Sequence, residues 1–464
     1  MAYPLEPDPD QLKELGESAV RLIADFTRGL PDAPASNMEP GLEVAARYRG
    51  PVPEQGESDV ARLMEEIATA SAVGADTAGP GYLAYIPGGG LYSAAIADFL
   101  ACGFNRFVNV WEIAPAFAQI EATVIRWLAD LFDLPETAGG ILTSGGSMAN
   151  FSAIVTARRT KLPEDFGAGT LYVSEQTHAW VAKSAVLAGF PRANIRAVAT
   201  TLDLRIDLDA LTSLIREDRR SGKRPFLLVA NAGTTNTGAV DPISDLAPLA
   251  RTEDLWLHVD GAYGGFFQLT DRGRTKFDGI AAADSITLDP HKGMFLPYGT
   301  GCLLVRDRVR LREAHHVQAE YLQDLAPEAE IPNFTEYSPE LSRDFRGLRV
   351  WLPIKLHGLG AFRDALNEKL DLTRYLYEGL RDTPGFELPW EPELTVVAFR
   401  QGERAEGDQR RLLERINASK RVFLSSTTIA GRFILRACVV SHRTHRDRIE
   451  EALGIIRAAA LAAG

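Results

Sequence analysis

The sequence predicts an α/β protein with two domains, a large one built on a mostly parallel sheet and a small C-terminal α+β domain. At 464 residues the chain exceeds what one hydrophobic core usually supports. Between about residues 80 and 345, short apolar runs alternate with helical patterns, which is typical of a parallel sheet covered on both faces by helices. After Trp351 this alternation stops. We therefore expect an N-terminal helical segment and connector (1–79), a large domain (80–345) and a small domain (346–464).

Seven apolar runs are predicted to form the strands of the large sheet. They are residues 141–142, 171–173, 195–198, 226–230, 255–259, 285–288 and 302–305. Ligands of open parallel sheets bind where the strands end, so side chains that follow these runs are expected to meet in one crevice.

A first helix is predicted ahead of the large domain, with Asp10 as its N-cap. Its apolar face is formed by Leu12, Leu15, Ala19, Leu22, Ile23 and Phe26. We expect this face to pack against another subunit or the body of the protein. Residues 31–58, rich in proline, glycine and acidic residues, are predicted to form an extended connector.

The composition argues against several classes of partner. The formal net charge of -12 disfavours binding to nucleic acid or an anionic membrane, since both require a basic surface. The sequence has no leader pattern and no run of 18 apolar residues, so we expect neither secretion nor a membrane span. Cys102, Cys302 and Cys438 are scattered, which predicts reduced thiols in a cytoplasmic protein and no metal site.

Lys292 is the first candidate catalytic residue, in the segment Asp289-Pro290-His291-Lys292 that follows the run 285–288. A lysine at a strand end is well placed to form a Schiff base with an aldehyde once its amine is neutral, and burial among apolar neighbours favours the neutral form. Taken alone, however, most lysines in a chain of this size are solvated surface groups.

Asp260 ends the buried run 255–259 and is expected in the same crevice as Lys292. Pyridoxal phosphate needs both groups: a lysine for its aldehyde and a carboxylate that keeps its pyridine nitrogen protonated. A strand-end aspartate by itself more often caps the next turn.

Two further motifs follow predicted strands. The turn Gly145-Gly146-Ser147 opens an amphipathic helix, whose first N–H groups would bind a phosphate. Its glycine spacing matches neither the dinucleotide fingerprint nor the Walker pattern. His178 could stack on a cofactor ring or bind a substrate carboxylate. Taken alone, the first motif is equally compatible with a plain loop, and a lone histidine is more often a structural residue.

The ordered set resembles the group II pyridoxal-phosphate-dependent amino acid decarboxylases, a family that includes the aromatic-L-amino-acid, tyrosine and glutamate decarboxylases. The motifs run Gly-Gly-Ser147, Ser-Glu-Gln-Thr-His178, Ala-Gly-Thr234-Thr235, His-Val-Asp260-Gly-Ala-Tyr and Asp-Pro-His-Lys292. The likeness extends from residues 81–87 to 432–436. It implies a fold type I (aspartate aminotransferase-like) enzyme with pyridoxal 5'-phosphate, an L-amino acid substrate, and a homodimer with a shared active site.

The resemblance also assigns roles to individual residues. Lys292 would form the Schiff base, Asp260 would pair with the ring nitrogen, and His178 would stack on the ring and reach the substrate. Further cofactor contacts would be Gly146, Ser147, Thr234, Asp289 and His291. The substrate side would include Tyr85, Pro87, Gly88, Phe107 and Asn109.

Tyr337 is nominated as the proton donor, because 334–337 is similar to the end of a family loop whose tyrosine protonates the carbanion left by carbon dioxide. This alignment requires a short deletion before Leu341. If Phe334 occupied the tyrosine position instead, the resemblance would imply an oxidative outcome that gives an aldehyde.

Three positions depart from the family pattern. Asp289 stands where asparagine is common, and its charge would repel a phosphate unless it is turned away or paired with a cation. Asn109 and Gly88 disfavour a catechol or indole substrate without indicating another.

We therefore expect an amine-forming decarboxylase acting on an L-amino acid, with an aromatic substrate as one possibility. The alternatives are a decarboxylating aldehyde synthase, a transaminase or lyase of the same fold, and a binding protein without catalytic activity.

Overall fold

The computed structural model describes residues 5–316, 332–402 and 404–462. The N-terminal segment contains α1 (Pro9–Gly29), β1 (Ser36–Asn37), α2 (Gly41–Ala46), α3 (Val60–Ser71) and β2 (Gly74–Ala75). Strands β1 and β2 pair antiparallel. The predicted connector is therefore interrupted by a short strand and a short helix.

The predicted N-cap of α1 is wrong by two residues, because Asp8 caps this helix and Asp10 lies inside it. The Asp8 carboxylate accepts hydrogen bonds from the backbone N–H groups of Asp10 and Gln11, at 2.9 and 3.0 Å. The Gln11 side chain accepts in return from the Asp8 N–H. With Pro9 at the first helical position, this capping box favours Asp8 as the helix start.

The large sheet contains the seven predicted strands. They are β3 (Gly139–Thr143), β4 (Gly169–Ser174), β5 (Ile195–Val198), β6 (Arg224–Asn231), β7 (Trp256–Gly261), β8 (Ser285–Leu288) and β9 (Gly301–Val305). Their spatial order is β3-β9-β8-β7-β6-β4-β5, and β9 runs in the opposite direction to the other six strands. Strands β7 and β8 are buried along their whole length, as expected for a sheet covered on both faces.

Helices cover both faces of this sheet. They are α4 (Tyr92–Phe104), α5 (Pro115–Asp130), α6 (Gly146–Lys161), α7 (Ala179–Leu187), α8 (Leu208–Arg220), α9 (Ile243–Thr252), α10 (Asp271–Lys276), α11 (Pro290–Gly293) and α12 (Arg308–His315). Among the residues that the structure describes, no helix has the length and apolar character needed to cross a bilayer.

The C-terminal part forms a small α+β unit with its own hydrophobic cluster. It contains α13 (Gly347–Arg381), β10 (Phe386–Glu387), β11 (Val396–Gln401), α14 (Glu406–Ala418), β12 (Ser425–Ile429), β13 (Arg432–Cys438) and α15 (Arg446–Leu461). The sheet order is β10-β11-β13-β12, and all neighbours pair antiparallel. Helix α13 is broken at Gly358, where φ is +71°. The fold class is thus confirmed, whereas the domain boundaries at 79/80 and 345/346 stay predictions.

A buried ion pair anchors the segment that precedes α13. Arg343 Nη2 lies 2.6 Å from Glu121 Oε1 on α5, and both side chains are fully buried. The Arg343 guanidinium also lies over the ring of Phe334, 4.8 Å from its centroid. Because an unpaired buried charge is costly, breaking this pair would be unfavourable, and it holds the segment before α13 against α5.

Candidate active site

One cavity of about 450 Å³ contains every predicted cofactor contact. It lies where β6, β7 and β8 end and where α6 begins. Its lining includes Gly146, Ser147, His178, Thr234, Asp260, Asp289, His291 and Lys292. Residues from five separate chain segments are therefore brought together, as the rule for parallel sheets predicts.

Asp260 and Lys292 share this cavity because β7 and β8 are parallel neighbours. Asp260 is paired in register with Thr287, so the chain leaves β8 at the same edge and forms α11, which carries Lys292. The two Asp260 oxygens accept different donors: Oδ1 from the Ala262 N–H and Oδ2 from Asn150 Nδ2, both at 3.1 Å. The carboxylate is thereby held in one orientation.

The Lys292 amine forms an ion pair with Asp289, with 2.8 Å between Nζ and Oδ2. Burial opposes the charged amine, but the neighbouring Asp289 carboxylate, with a further contribution from Asp260, outweighs burial and raises the pKa of Lys292. The expectation that burial would make this amine neutral is therefore wrong for this arrangement. An adjacent buried carboxylate has the larger effect.

Asp289 is only 2% exposed, and its Oδ1 atom has no hydrogen-bond partner among the described residues. The carboxylate faces the start of α6, since a Cβ added to Gly146 would lie 3.1 Å from Asp289 Oδ2. The same Cβ would lie 3.0 Å from the Ala262 Cβ. Asp289 thus has a cation partner in the Lys292 amine, and Gly146 keeps the start of α6 unobstructed.

The two cavity histidines differ in tautomer. His291 Nδ1 donates to the Thr300 carbonyl at 2.7 Å, so its Nε2 is the unprotonated nitrogen. Burial lowers the pKa of His291, although Asp289 opposes this. His178 caps α7, and its Nδ1 accepts from the Trp180 N–H at 3.3 Å. Its Nε2 is therefore left to donate within the cavity.

Of the predicted substrate residues, only His178 lines the cavity. Tyr85 is 61% exposed, and Pro87 is buried. Gly88 lies against the cavity wall, because a Cβ there would lie 2.7 Å from the His291 carbonyl oxygen and 3.4 Å from the Tyr298 ring. Phe107 does not line the cavity.

Asn109 and Tyr337 lie outside the cavity. The Asn109 amide donates to the carbonyls of Leu341 and Arg343 at 3.3 and 3.4 Å, so it supports the segment before α13. Tyr337 is buried, and burial raises the pKa of its hydroxyl against the opposing charge of Arg312. The roles predicted for these two residues remain predictions.

Sequence reasoning missed several lining residues, notably Asn150, Trp180, Asn231, Tyr263 and Tyr298. Trp180 stands two residues after His178, and Tyr298 six after Lys292, so proximity to those motifs was the available signal. Their presence in the cavity depends on how α6, α7, β6 and the loops after β7 and β8 are packed together, which has no local sequence pattern.

The residues present fit pyridoxal phosphate. One cavity offers an amine, a fixed carboxylate and a glycine turn at a helix start, where the first N–H groups have no partner within the helix. At Gly145 φ is +154°, and a Cβ there would lie 3.4 Å from His291 Cε1. Glycine at both positions therefore lets an anion approach the backbone.

Comparison with known proteins gives a consistent result. The family model described as "Pyridoxal-dependent decarboxylase conserved domain" matches residues 47–402. An aromatic-L-amino-acid decarboxylase of Bacillus atrophaeus is 36% identical, with 99% of this chain and 98% of that protein covered. A phenylacetaldehyde synthase of Arabidopsis thaliana is 27% identical, with 97% and 96% covered. A crystal structure of Oryza sativa TDC with PLP and tryptamine is 26% identical, superposes with a TM-score of 0.93, and is matched over 100% of this chain and 99% of that one.

Replacing Asp289 with Asn is expected to make the Lys292 amine neutral at lower pH. The variant loses the carboxylate that raises the pKa of Lys292, whereas the opposing effect of burial remains. Because only the neutral amine attacks an aldehyde, the rate of imine formation with pyridoxal should rise with pH in both proteins. The curve of Asp289→Asn should lie at lower pH, and each unit of displacement gives about a tenfold faster reaction at a fixed lower pH.

The measurement is the visible absorbance of cofactor-free protein after mixing with pyridoxal, which lacks the phosphate and so removes phosphate repulsion from the comparison. Asp284→Asn, at the opposite end of β8, is the matched control and should follow the wild-type curve. Superimposable curves for Asp289→Asn and wild type would contradict the effect assigned to Asp289.

Proposed function

The chain belongs to the pyridoxal-dependent decarboxylase family, and from this premise we propose that it converts an aromatic L-amino acid to the corresponding amine. It is a fold type I enzyme that uses pyridoxal phosphate to decarboxylate an amino acid. The substrate class rests on one cavity that combines Lys292 and Asp260 with aromatic walls.

The cofactor supplies an aldehyde and a ring that accepts the electrons of the breaking bond. Lys292 would provide its attachment point, and Gly146, Ser147 and Thr234 would receive the phosphate end. Asp260 would hold the proton on the ring nitrogen, where each unit of pKa elevation corresponds to about 1.4 kcal/mol in favour of the protonated form. His178, with Nε2 free to donate, would contact the ring or the substrate carboxylate.

The cavity walls support an aromatic substrate over an acidic one. Trp180 and Tyr298 both line the cavity. Among the described residues no arginine lines it, and the amine of Lys292 is already paired with Asp289. A substrate carrying a side-chain carboxylate would therefore place a poorly compensated charge there. The two sequence positions that disfavoured a catechol or indole substrate carry less weight in the structure. Asn109 lies outside the cavity, and the ring of Tyr298 occupies the space beside Gly88.

An aldehyde-forming activity is the second candidate. The Phe334 ring is fully buried beneath Arg343, and a phenylacetaldehyde synthase is among the relatives. Tyr337 remains the proposed proton donor, but its side chain does not line the cavity of this chain. Residues 334 and 337 therefore need to be tested as a pair.

We also propose a homodimer in which α1 packs against the second copy. No residue of this helix is buried, although it has a clear apolar face. Leu12, Leu15, Ile23 and Phe26 are all exposed. An exposed apolar stripe of this length is costly in water and is typical of an interface. A shared active site would follow if the partner approached the cavity.

A cytoplasmic location is proposed from the cysteines. Cys302 and Cys438 are buried free thiols, and Cys102 is free and exposed. Thiols that persist unpaired are typical of a reducing compartment.

Incubating the holoenzyme with aromatic, acidic and imidazole L-amino acids should give an amine from an aromatic one. The products are identified by mass spectrometry, with Lys292→Ala as the control that should lose both product and the visible absorbance of attached cofactor. Turnover of only an acidic amino acid would contradict the proposed substrate class.

Replacing Tyr337 with Phe is expected to shift the product from amine toward aldehyde. Without the hydroxyl that would return a proton to carbon, dissolved dioxygen can instead remove two electrons, which gives aldehyde, ammonia and hydrogen peroxide. The matched variant Phe334→Tyr should leave the product unchanged. Amine and aldehyde are quantified in the same reaction. If wild type releases aldehyde and Phe334→Tyr restores amine, the roles of the two positions are reversed.

Ile23→Glu is expected to weaken self-association, since it would bury an unpaired charge in the proposed interface. Arg21→Glu places the same residue on the opposite face of α1 and should leave the dimer intact. Sedimentation equilibrium over a range of concentrations measures both. An active monomeric wild type would contradict the dimer.

A further inference from the structure

A chain of buried polar side chains runs from the sheet interior to Asp260. Trp256 Nε1 lies 2.8 Å from Ser285 Oγ, which lies 2.8 Å from His258 Nδ1. His258 Nε2 lies 2.9 Å from Asn150 Oδ1, and Asn150 Nδ2 lies 3.1 Å from Asp260 Oδ2. All five side chains are buried.

The direction of hydrogen-bond donation can be determined from either end of this series of side chains. An ionised Asp260 can only accept, so Asn150 must present its amide nitrogen to the carboxylate and its oxygen to His258. His258 must then carry its proton on Nε2. At the other end, the indole of Trp256 can only donate, which leaves the Ser285 hydroxyl proton available for His258 Nδ1.

This direction of donation requires a neutral His258 imidazole, and the surroundings of His258 favour the neutral form. Burial lowers the pKa of His258 to about 4, against the opposing effect of Asp260. Thr287 Oγ1 is an additional neighbour of Nε2 at 3.4 Å. A flipped Asn150 would turn its oxygen toward Asp260 Oδ2 and leave both of these oxygens without a donor, so the opposite direction is unfavourable.

We propose that Trp256, Ser285, His258 and Asn150 form a hydrogen-bond relay that donates in one direction, toward Asp260. The relay fixes the orientation of the carboxylate and keeps it an acceptor. Since Asn150 is a neutral donor, it orients Asp260 without neutralising it, and the negative charge stays available to cationic groups in the cavity. His258 and Asn150 are thus positioning residues for Asp260. The catalytic consequence rests on the proposed function of Asp260, whereas the direction of the relay does not.

The first experiment measures the tautomer of His258 in the full-length wild-type protein. Histidine is labelled with ¹⁵N, and the downfield proton spectrum is recorded with and without cofactor at neutral pH. His258→Gln identifies the resonance by its absence. We expect a slowly exchanging Nε2–H and an unprotonated Nδ1. A proton on Nδ1, or on both nitrogens, would overturn the relay.

The second experiment asks whether the relay acts through Asp260. Asn150→Ala removes the donor to Oδ2 and should lower kcat about tenfold or more, with little change in KM, as expected for losing a hydrogen bond to a charged group. In an Asp260→Ala background the same change should cost nothing further. Equal losses in both backgrounds would show that Asn150 acts independently of Asp260 and would overturn the proposal.

Matched substitutions separate the relay from ordinary packing. His258→Gln keeps one donor and one acceptor and should retain more of kcat than His258→Leu, which has neither. Thr287→Val removes the hydroxyl beside the same imidazole without cutting the relay, and it should behave like wild type. Equal kcat values for His258→Gln and His258→Leu in folded protein would contradict the proposal.

The role proposed for Asp260 and the direction of the relay can be contradicted separately. If Asp260→Ala retained full kcat, the role proposed for Asp260 would be wrong, yet the His258 tautomer would still report the direction of the relay.

Discussion

The parallel pairing of β7 with β8 is the constraint on which the site depends. The register that sets Asp260 opposite Thr287 brings both strands to the same edge of the sheet. The next turn of chain after β8 carries Asp289 and Lys292. Helix α6 crosses the same part of the sheet, so its first residues supply the glycine turn and its second turn supplies Asn150. A shift of one residue in that register would turn the side chains of one of these two strands to the opposite face of the sheet.

Two buried carboxylates in this cavity are stabilised in different ways. Asp260 is held by neutral donors, the amide of Asn150 and the N–H of Ala262, which leave its charge available. Asp289 is paired with the amine of Lys292. Asp260 therefore keeps a negative charge that is available in the cavity, whereas Asp289 neutralises the charge of the Lys292 amine. The difference depends on the groups that surround each carboxylate.

The small domain is tied to the cavity through Arg436 on β13. Its buried guanidinium donates to the carbonyls of Tyr85 and Thr235, at 3.0 and 2.6 Å, and to Ser425 Oγ at 2.9 Å. One side chain thus joins the segment that contains Tyr85, the loop after β6 and the C-terminal sheet. Because a buried guanidinium needs all its partners, these three segments are held together.

The amino-acid sequence alone predicted the seven strands, the fold class and eight of the residues that line the cavity, because burial periodicity and motifs at strand ends are local signals. It placed the cap of α1 at Asp10 instead of Asp8, since several acidic residues precede the helix and only the capping box distinguishes them. Tertiary structure alone decided that Lys292 pairs with Asp289, that Asn109 supports a distant segment, and that His258 lies behind Asp260. The contacts of Asn109 and His258 join side chains from separate segments, which no local pattern encodes. Lys292 and Asp289 are only three residues apart, and their pairing depends on the turn of α11 and on the burial of both groups.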